Sequence, residues 1–351
     1  MEGLTKDEKM KQLWDHVTHV LGMIIAVCMV CAIGACGAAK PRDEPSPSSS
    51  PTEVNKPITV VASLNQWGSF AKNLGGDNVE VTSLLNSTTA DAHDFEPTAA
   101  DVAKLEKADL VLVNGAGYDT WADKTLAPGA ERISVAETVG ALNGDNPHLW
   151  FSKDARNAVA KALIDAFIRL RPAEKATFNE QLKVWQAEED KLEQTMKEFA
   201  KNHPDITYAA TENIAYYLMS DLGFTDATPQ GYAQAAANES EPAAADINDF
   251  QQVLRDHDVS LLVNNAQESN KTTQELVQIA KAESIPVLDV TEQMPSDMDT
   301  LVNWIASLIQ QIDQSVKGEH ENDATGKAEQ SGTNNGDTQP SPSADPAKTA
   351  Q

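Results

Sequence analysis

Cysteine is almost missing from this chain, with three in 351 residues. Cys28 and Cys31 lie in an apolar run and Cys36 stands alone, so no disulfide framework is available to staple the fold. The Cys28/Cys31 spacing has no polar neighbours to orient thiolates toward a metal, and both belong to that apolar run. Basic residues are scarce too, 27 against 53 acidic ones, for a formal net charge of −26. A surface of that sign repels phosphate, which excludes nucleic acid as a partner and suits a cation. A phosphate-binding loop is also lacking. Asn114-Gly115-Ala116-Gly117 has Thr120 where a dinucleotide fingerprint needs its third glycine, and a tight loop accounts for both glycines.

What is there begins with the apolar run, Val20 to Ala35, which carries no charge and has the length of a signal-peptide core rather than of a membrane span. Ile33-Gly34-Ala35-Cys36 resembles a bacterial lipobox, which makes Cys36 the expected lipidation site and residues 1–36 a signal peptide. Met1 to His19 is longer and more acidic than the usual basic flank, so Met10 and Met23 stay open as the start, with an uncleaved anchor as the alternative. Either way the body is held at a membrane. Residues 37–56 are rich in proline and serine and read as a disordered tether, and residues 317–351, almost without large apolar side chains, as a disordered tail containing His320.

Between the tails, 41% hydrophobic content is enough for two domains. Strands are expected at Ile58 to Ala62, Val79 to Leu84, Asp109 to Val113, Glu131 to Val135, Ile206 to Ala210, Ser260 to Asn264 and Pro286 to Val290, alternating with helix-period segments. One of these, Thr98 to Ala108, opens on a capping-box pattern formed by Thr98 and Asp101. From Pro172, apolar residues Phe178, Leu182, Trp185, Leu192, Met196 and Phe199 recur at helical steps, interrupted only by Glu189, up to His203-Pro204. Such a helix would span on the order of 45 Å. The fold expected is α/β, with two lobes, 57–171 and 204–316, each a mostly parallel sheet flanked by helices, joined by one long central helix over 172–203 as the sole connection.

Four polar residues fall just past strands: His93 in DAHDFEP, His148 in NPHLW, Glu212 in ATEN and Glu292 in DVTE. Ligands of open α/β sheets bind beyond the carboxyl ends of the strands, so two imidazoles and two carboxylates can converge on the cleft as a metal set by type. His203, at a helix end, reads as a dipole partner, and His257 as a surface residue.

The lipobox, HDFEP, NPHLW, the long helix and the second α/β half together resemble the zinc and manganese solute-binding lipoproteins of bacterial ABC transporters, over roughly Lys56 to Val316. The resemblance implies metal ligands at His93, in an H-x-x-E-P loop, and at His148, with Asn146 where aspartate is usual. It implies a third at Glu212, five residues before Tyr217-Leu218, and a fourth at Glu292, for which Asp289 inside the strand is the alternative. Asn238-Glu239-Ser240-Glu241-Pro242 matches the loop before a C-lobe helix. Glu96 and Asp94 become candidates for orienting His93, or helix-terminal acids ahead of Thr98. An oxygen-rich set favours Mn²⁺ over Zn²⁺ as cargo, and the chain lacks a long His/Asp-rich loop. The partners implied are an ABC permease with its ATPase, for a monomer on the extracytoplasmic face of the membrane. A surface zinc hydrolase is the rival enzyme reading, though no HExxH pair is present, and a surface adhesin is a second rival.

Overall fold

The computed structural model describes residues 56–89, 95–122 and 128–330, with side chains as far as 317. The first sheet holds β1 (Ile58–Leu64), β2 (Val79–Leu85), β3 (Leu110–Val113) and β4 (Glu131–Ser134) in the order β2-β1-β3-β4. The second holds β5 (Thr207–Ala210), β6 (Thr225–Asp226), β7 (Leu262–Asn265) and β8 (Val287–Val290) in the order β6-β5-β7-β8. Every pairing is parallel. The two halves therefore repeat one topology, and each has a switch point between its first and third strands, where ligands bind in open α/β sheets.

In the first half the helices are α1 (Asn65–Gly75), α2 (Ala99–Leu105), α3 (Val135–Val139) and α4 (Lys153–Leu170). The central helix α5 (Lys175–Asn202) follows a short turn at Pro172–Glu174. After it come α6 (Tyr216–Asp221), α7 (Gln230–Ala237), α8 (Ala244–Arg255), α9 (Lys271–Ala282) and α10 (Leu301–Gln330). Thr98 and Asp101 form the reciprocal capping box on α2. The two-residue β6 escapes sequence reading because it is too short to show a period.

Alternation along the strands divides the core. Val60, Ala62, Leu110 and Leu112 of the first sheet and Tyr208, Ala210 and Val263 of the second face one shared cluster. Their neighbours Val61, Val111 and Val113 face a separate cluster with Leu105 of α2, while Ala209 and Leu262 face another under α7, α8 and α9. The shared cluster takes in Phe178, Trp185, Leu192, Met196 and Phe199 of α5, so the central helix is part of the core that both sheets use.

Glu189, the polar residue on that apolar stripe, is 1% exposed and pairs with Arg156 of α4, which is fully buried. Arg156 donates from Nη2 to Glu189 Oε1 at 2.6 Å and from Nη1 to the Trp150 carbonyl at 3.0 Å. The pair satisfies both charges inside the core and ties the central helix to the segment that carries His148.

The central helix is not the sole connection. After β8 the chain returns to the first half, where the Asn65 side chain donates to the Met294 carbonyl at 2.6 Å and accepts the Met294 amide at 3.1 Å. Trp304 of α10 lies against Phe151, with ring centroids 5.1 Å apart. α10 also runs through Gln330, past Val316, where the sequence suggests the start of a disordered tail. Among the described residues no helix is long and apolar enough to cross a membrane.

Candidate metal centre

The site forms where the carboxyl ends of the two sheets face each other. His148 enters from the loop after α3, just ahead of a short turn at Leu149–Phe151, and is 3% exposed. Asn114, at the end of β3, donates from Nδ2 to the Pro147 carbonyl at 2.8 Å and so supports that loop from below. Here the NGAG stretch finds its use: Gly115 has φ +78°, and a Cβ on it would stand 2.4 Å from Ser134 Oγ. The turn is held by Asp119, whose carboxylate accepts the amides of Asn114 and Gly115 at 2.6 and 2.8 Å.

The tautomer of His148 is set by its neighbour. Asn146 Nδ2 donates to the Asn213 carbonyl at 2.7 Å, which turns Asn146 Oδ1 toward His148. That oxygen accepts the His148 amide at 3.0 Å and stands 2.8 Å from Nδ1. An acceptor opposite Nδ1 makes Nδ1 the protonated nitrogen, so in neutral His148 the lone pair is on Nε2. Nε2 lies 3.5 Å from Glu212 Oε1.

Glu212 follows β5 and precedes a short helical turn at Asn213–Ala215, yet its side chain makes no capping bond there. The carboxylate instead accepts from Asn265 Nδ2 at 2.5 Å. Glu292 follows β8, is 1% exposed and accepts from the same Asn265 Nδ2 at 3.1 Å and from the hydroxyl of Tyr118. Asp289, its alternative inside the strand, is exposed and accepts from Asn264 Nδ2 at 2.7 Å. One ligand atom each from His148, Glu212 and Glu292 lies within 4.8 Å of the others, a spacing that a single cation can bridge. His93 and Asp94 lie outside the described residues, and Glu96 is exposed.

Burial and the nearby charge of Glu292 push the Glu212 carboxyl up to about 8. Burial, then Glu292, raises the Tyr118 phenol well above its ordinary value, so Tyr118 is a hydrogen-bond donor throughout the physiological range. Beside Glu212 and Asn265 opens a cavity of about 660 Å³, lined further by Glu239, Glu241, Glu268 and Lys271. Glu239 and Glu241 belong to the Asn238–Pro242 loop that the sequence singles out. Three carboxylates against one ammonium make this approach attractive to cations.

Tyr118 and Asn265, which hold the candidate ligand carboxylates, are residues that sequence reasoning missed. Tyr118 lies in the tight loop after β3 and Asn265 is the last residue of β7, and no local pattern marks either one. Tyr118→Phe removes a donor from a buried carboxylate. It is expected to destabilise the metal-free protein by about 1–3 kcal/mol in urea unfolding at pH 8.

The family described as "Zinc-uptake complex component A periplasmic" matches residues 60–315. The iron-binding protein YfeA of Yersinia pestis is 22% identical over 283 residues, covering 77% of this chain and 88% of its own. The manganese ABC transporter substrate-binding lipoprotein PsaA of Streptococcus anginosus is 25% identical over 264 residues, covering 70% of this chain and 81% of its own. In fold, the chain is similar to the solved periplasmic zinc binding protein TroA from Treponema pallidum. The TM-score is 0.63 at 21% identity, over 74% of this chain and 99% of that one.

Proposed function

The chain belongs to the zinc-uptake complex component A family of solute-binding proteins, and from that premise we propose that it captures one divalent transition metal between its lobes and delivers it to an ABC-type permease. His148, Glu212 and Glu292 supply the donors among the described residues, and His93 completes the set. The observation that carries this reading is the 4.8 Å clustering of three ligand atoms from three separate loops, around an imidazole whose Nε2 carries the lone pair. Mn²⁺ is the favoured cargo and Zn²⁺ the next, since two carboxylates weight the set toward oxygen. Cys36 carries the lipid that holds the monomer at the outer face of the membrane, and the ATPase of the transporter supplies the energy of release. The hydrolase alternative has no support among the relatives, whose names are those of metal-binding and transport proteins.

Titration calorimetry of the metal-free protein with Mn²⁺ and with Zn²⁺ tests the proposal. One saturable site, lost in His148→Ala and in Glu212→Ala, is the expected result; a heat that is unchanged in both variants would defeat it.

A pH dependence follows from Glu212. Its folded pKa of about 8 lies above its ordinary 4.5, so folding favours the protonated form. The stability this contributes is complete below about pH 4.5 and is lost as pH rises through 8. Metal-free protein is therefore expected to melt lower at pH 8.5 than at pH 5.5. In Glu212→Gln that difference is expected to shrink, as scanning calorimetry at the two pH values would read.

A further inference from the structure

A carboxylate can offer a cation one oxygen or two, and the choice separates metals. Zn²⁺ is satisfied by four ligands with carboxylates bound through a single oxygen, whereas Mn²⁺ is better served by oxygen-rich sites that use both. What decides how many oxygens each glutamate presents is therefore a question about the groups that hold the carboxylates.

Asn265 is the group that touches both. It is 1% exposed and is the last residue of β7, between the ends of β5 and β8, its neighbours in the sheet. The amide nitrogen has two hydrogens and two carboxylate acceptors, Glu212 Oε2 at 2.5 Å and Glu292 Oε1 at 3.1 Å. The other end of the amide fixes this orientation, because Asn265 Oδ1 accepts the Gln267 amide at 3.0 Å. Turning the amide over would set its carbonyl against two carboxylates. The backbone is pinned as well, with the Asn265 amide donating to Thr211 Oγ1 at 3.0 Å.

With Oε2 taken, Glu212 directs Oε1 toward His148 Nε2, 3.5 Å away. Glu292 has Oε1 on Asn265 and Oε2 on Tyr118, and its backbone amide donates to Gln267 Oε1 at 2.7 Å. A cation that drew in the second oxygen of Glu212 would have to compete for it with a buried donor. We propose that Asn265 determines the metal selectivity of this site, by holding one oxygen of each glutamate and so limiting how many oxygens reach the ion. The inference rests on the metal-capture reading above and adds to it a residue that moves the selectivity toward Zn²⁺, against the weight toward Mn²⁺ that two carboxylates give.

The test is competitive titration of Mn²⁺ and Zn²⁺ against a chromophoric chelator, for the wild-type protein and for Asn265→Ala, with X-ray absorption on both metal-loaded forms. Changes behind the ligands cost 10–100-fold in metal affinity as a rule. In Asn265→Ala the Zn²⁺ dissociation constant is expected to rise about 10–100-fold while that of Mn²⁺ moves by less than about threefold. The ratio of Mn²⁺ to Zn²⁺ constants thus falls at least about threefold, and the coordination number of bound Mn²⁺ rises. Should Asn265→Ala fail to fold, Asn265→Ser, which keeps one donor, is expected to show the same shift at smaller size. Equal changes in both constants, or unchanged coordination in a variant with the wild-type ratio, would overturn the proposal while leaving metal capture intact. Wild-type protein that binds neither ion would overturn both.

Discussion

Glu212→Gln is expected to separate two effects that the wild-type protein combines: the metal-free variant melts higher than wild type at pH 8.5, and most of the metal-dependent rise in melting temperature disappears. The first effect arises because half-buried Glu212 and buried Glu292 share the two hydrogens of one amide, so ionising the second carboxylate in that space is unfavourable. Removing one charge relieves it. The second arises because a cation that binds only the folded chain stabilises it by mass action. At a free metal concentration a thousandfold above Kd the gain is about 4 kcal/mol, a shift of roughly 10 °C for a body of this size. With glutamine at 212 the site keeps its shape and loses an anionic donor, and the shift is expected to fall below about a third of that. Differential scanning calorimetry with and without Mn²⁺ reads both effects. A variant with an unchanged metal shift would remove Glu212 from the ligand set.

The second large effect is at the buried ion pair. Arg156→Met leaves Glu189 as an uncompensated charge inside the shared core and takes away the donor to the Trp150 carbonyl. A loss of about 3–5 kcal/mol is expected, read by urea unfolding. The double change Arg156→Met with Glu189→Leu is expected to recover most of that loss, because an apolar pair of similar volume carries no desolvation cost. Recovery would show that the pair gives the core its arrangement more than its stability. The arrangement matters here: through Trp150, two residues from His148, Arg156 ties the central helix to the loop that carries His148. A single variant that loses less than about 1 kcal/mol would contradict this account of the interior.

Much of this was legible in the sequence, and the limits have physical reasons. Strands such as Ile58–Leu64 and Val79–Leu85 announce themselves by β-branched runs, and the central helix by its apolar period from Phe178 to Phe199. Glu189 looked like a break in that period; its partner Arg156 sits 33 positions earlier, a separation that no local pattern reports. Position after a strand pointed to Glu212 and Glu292, which the structure brings within reach of His148, itself on the loop after α3. Asp289, inside β8, is exposed and accepts from Asn264, whereas Glu292, past the strand end, is buried. Tyr118 and Asn265 were beyond reach for a different reason. Their roles depend on which strands are neighbours, β7 between β5 and β8, and on a loop from the first sheet meeting a carboxylate from the second. The return of the chain at Met294 to Asn65 is hidden likewise, being a contact between residues 229 positions apart.

The proposed function requires that a single divalent cation be held by His148, Glu212 and Glu292 from opposite lobes. Anomalous diffraction at the manganese and zinc edges, on crystals grown with each metal, measures it directly. The account predicts one strong peak at about 2.0–2.2 Å from His148 Nε2 and from an oxygen of each glutamate. Peaks confined to surface carboxylates, with those three side chains unchanged around an empty cleft, would contradict it.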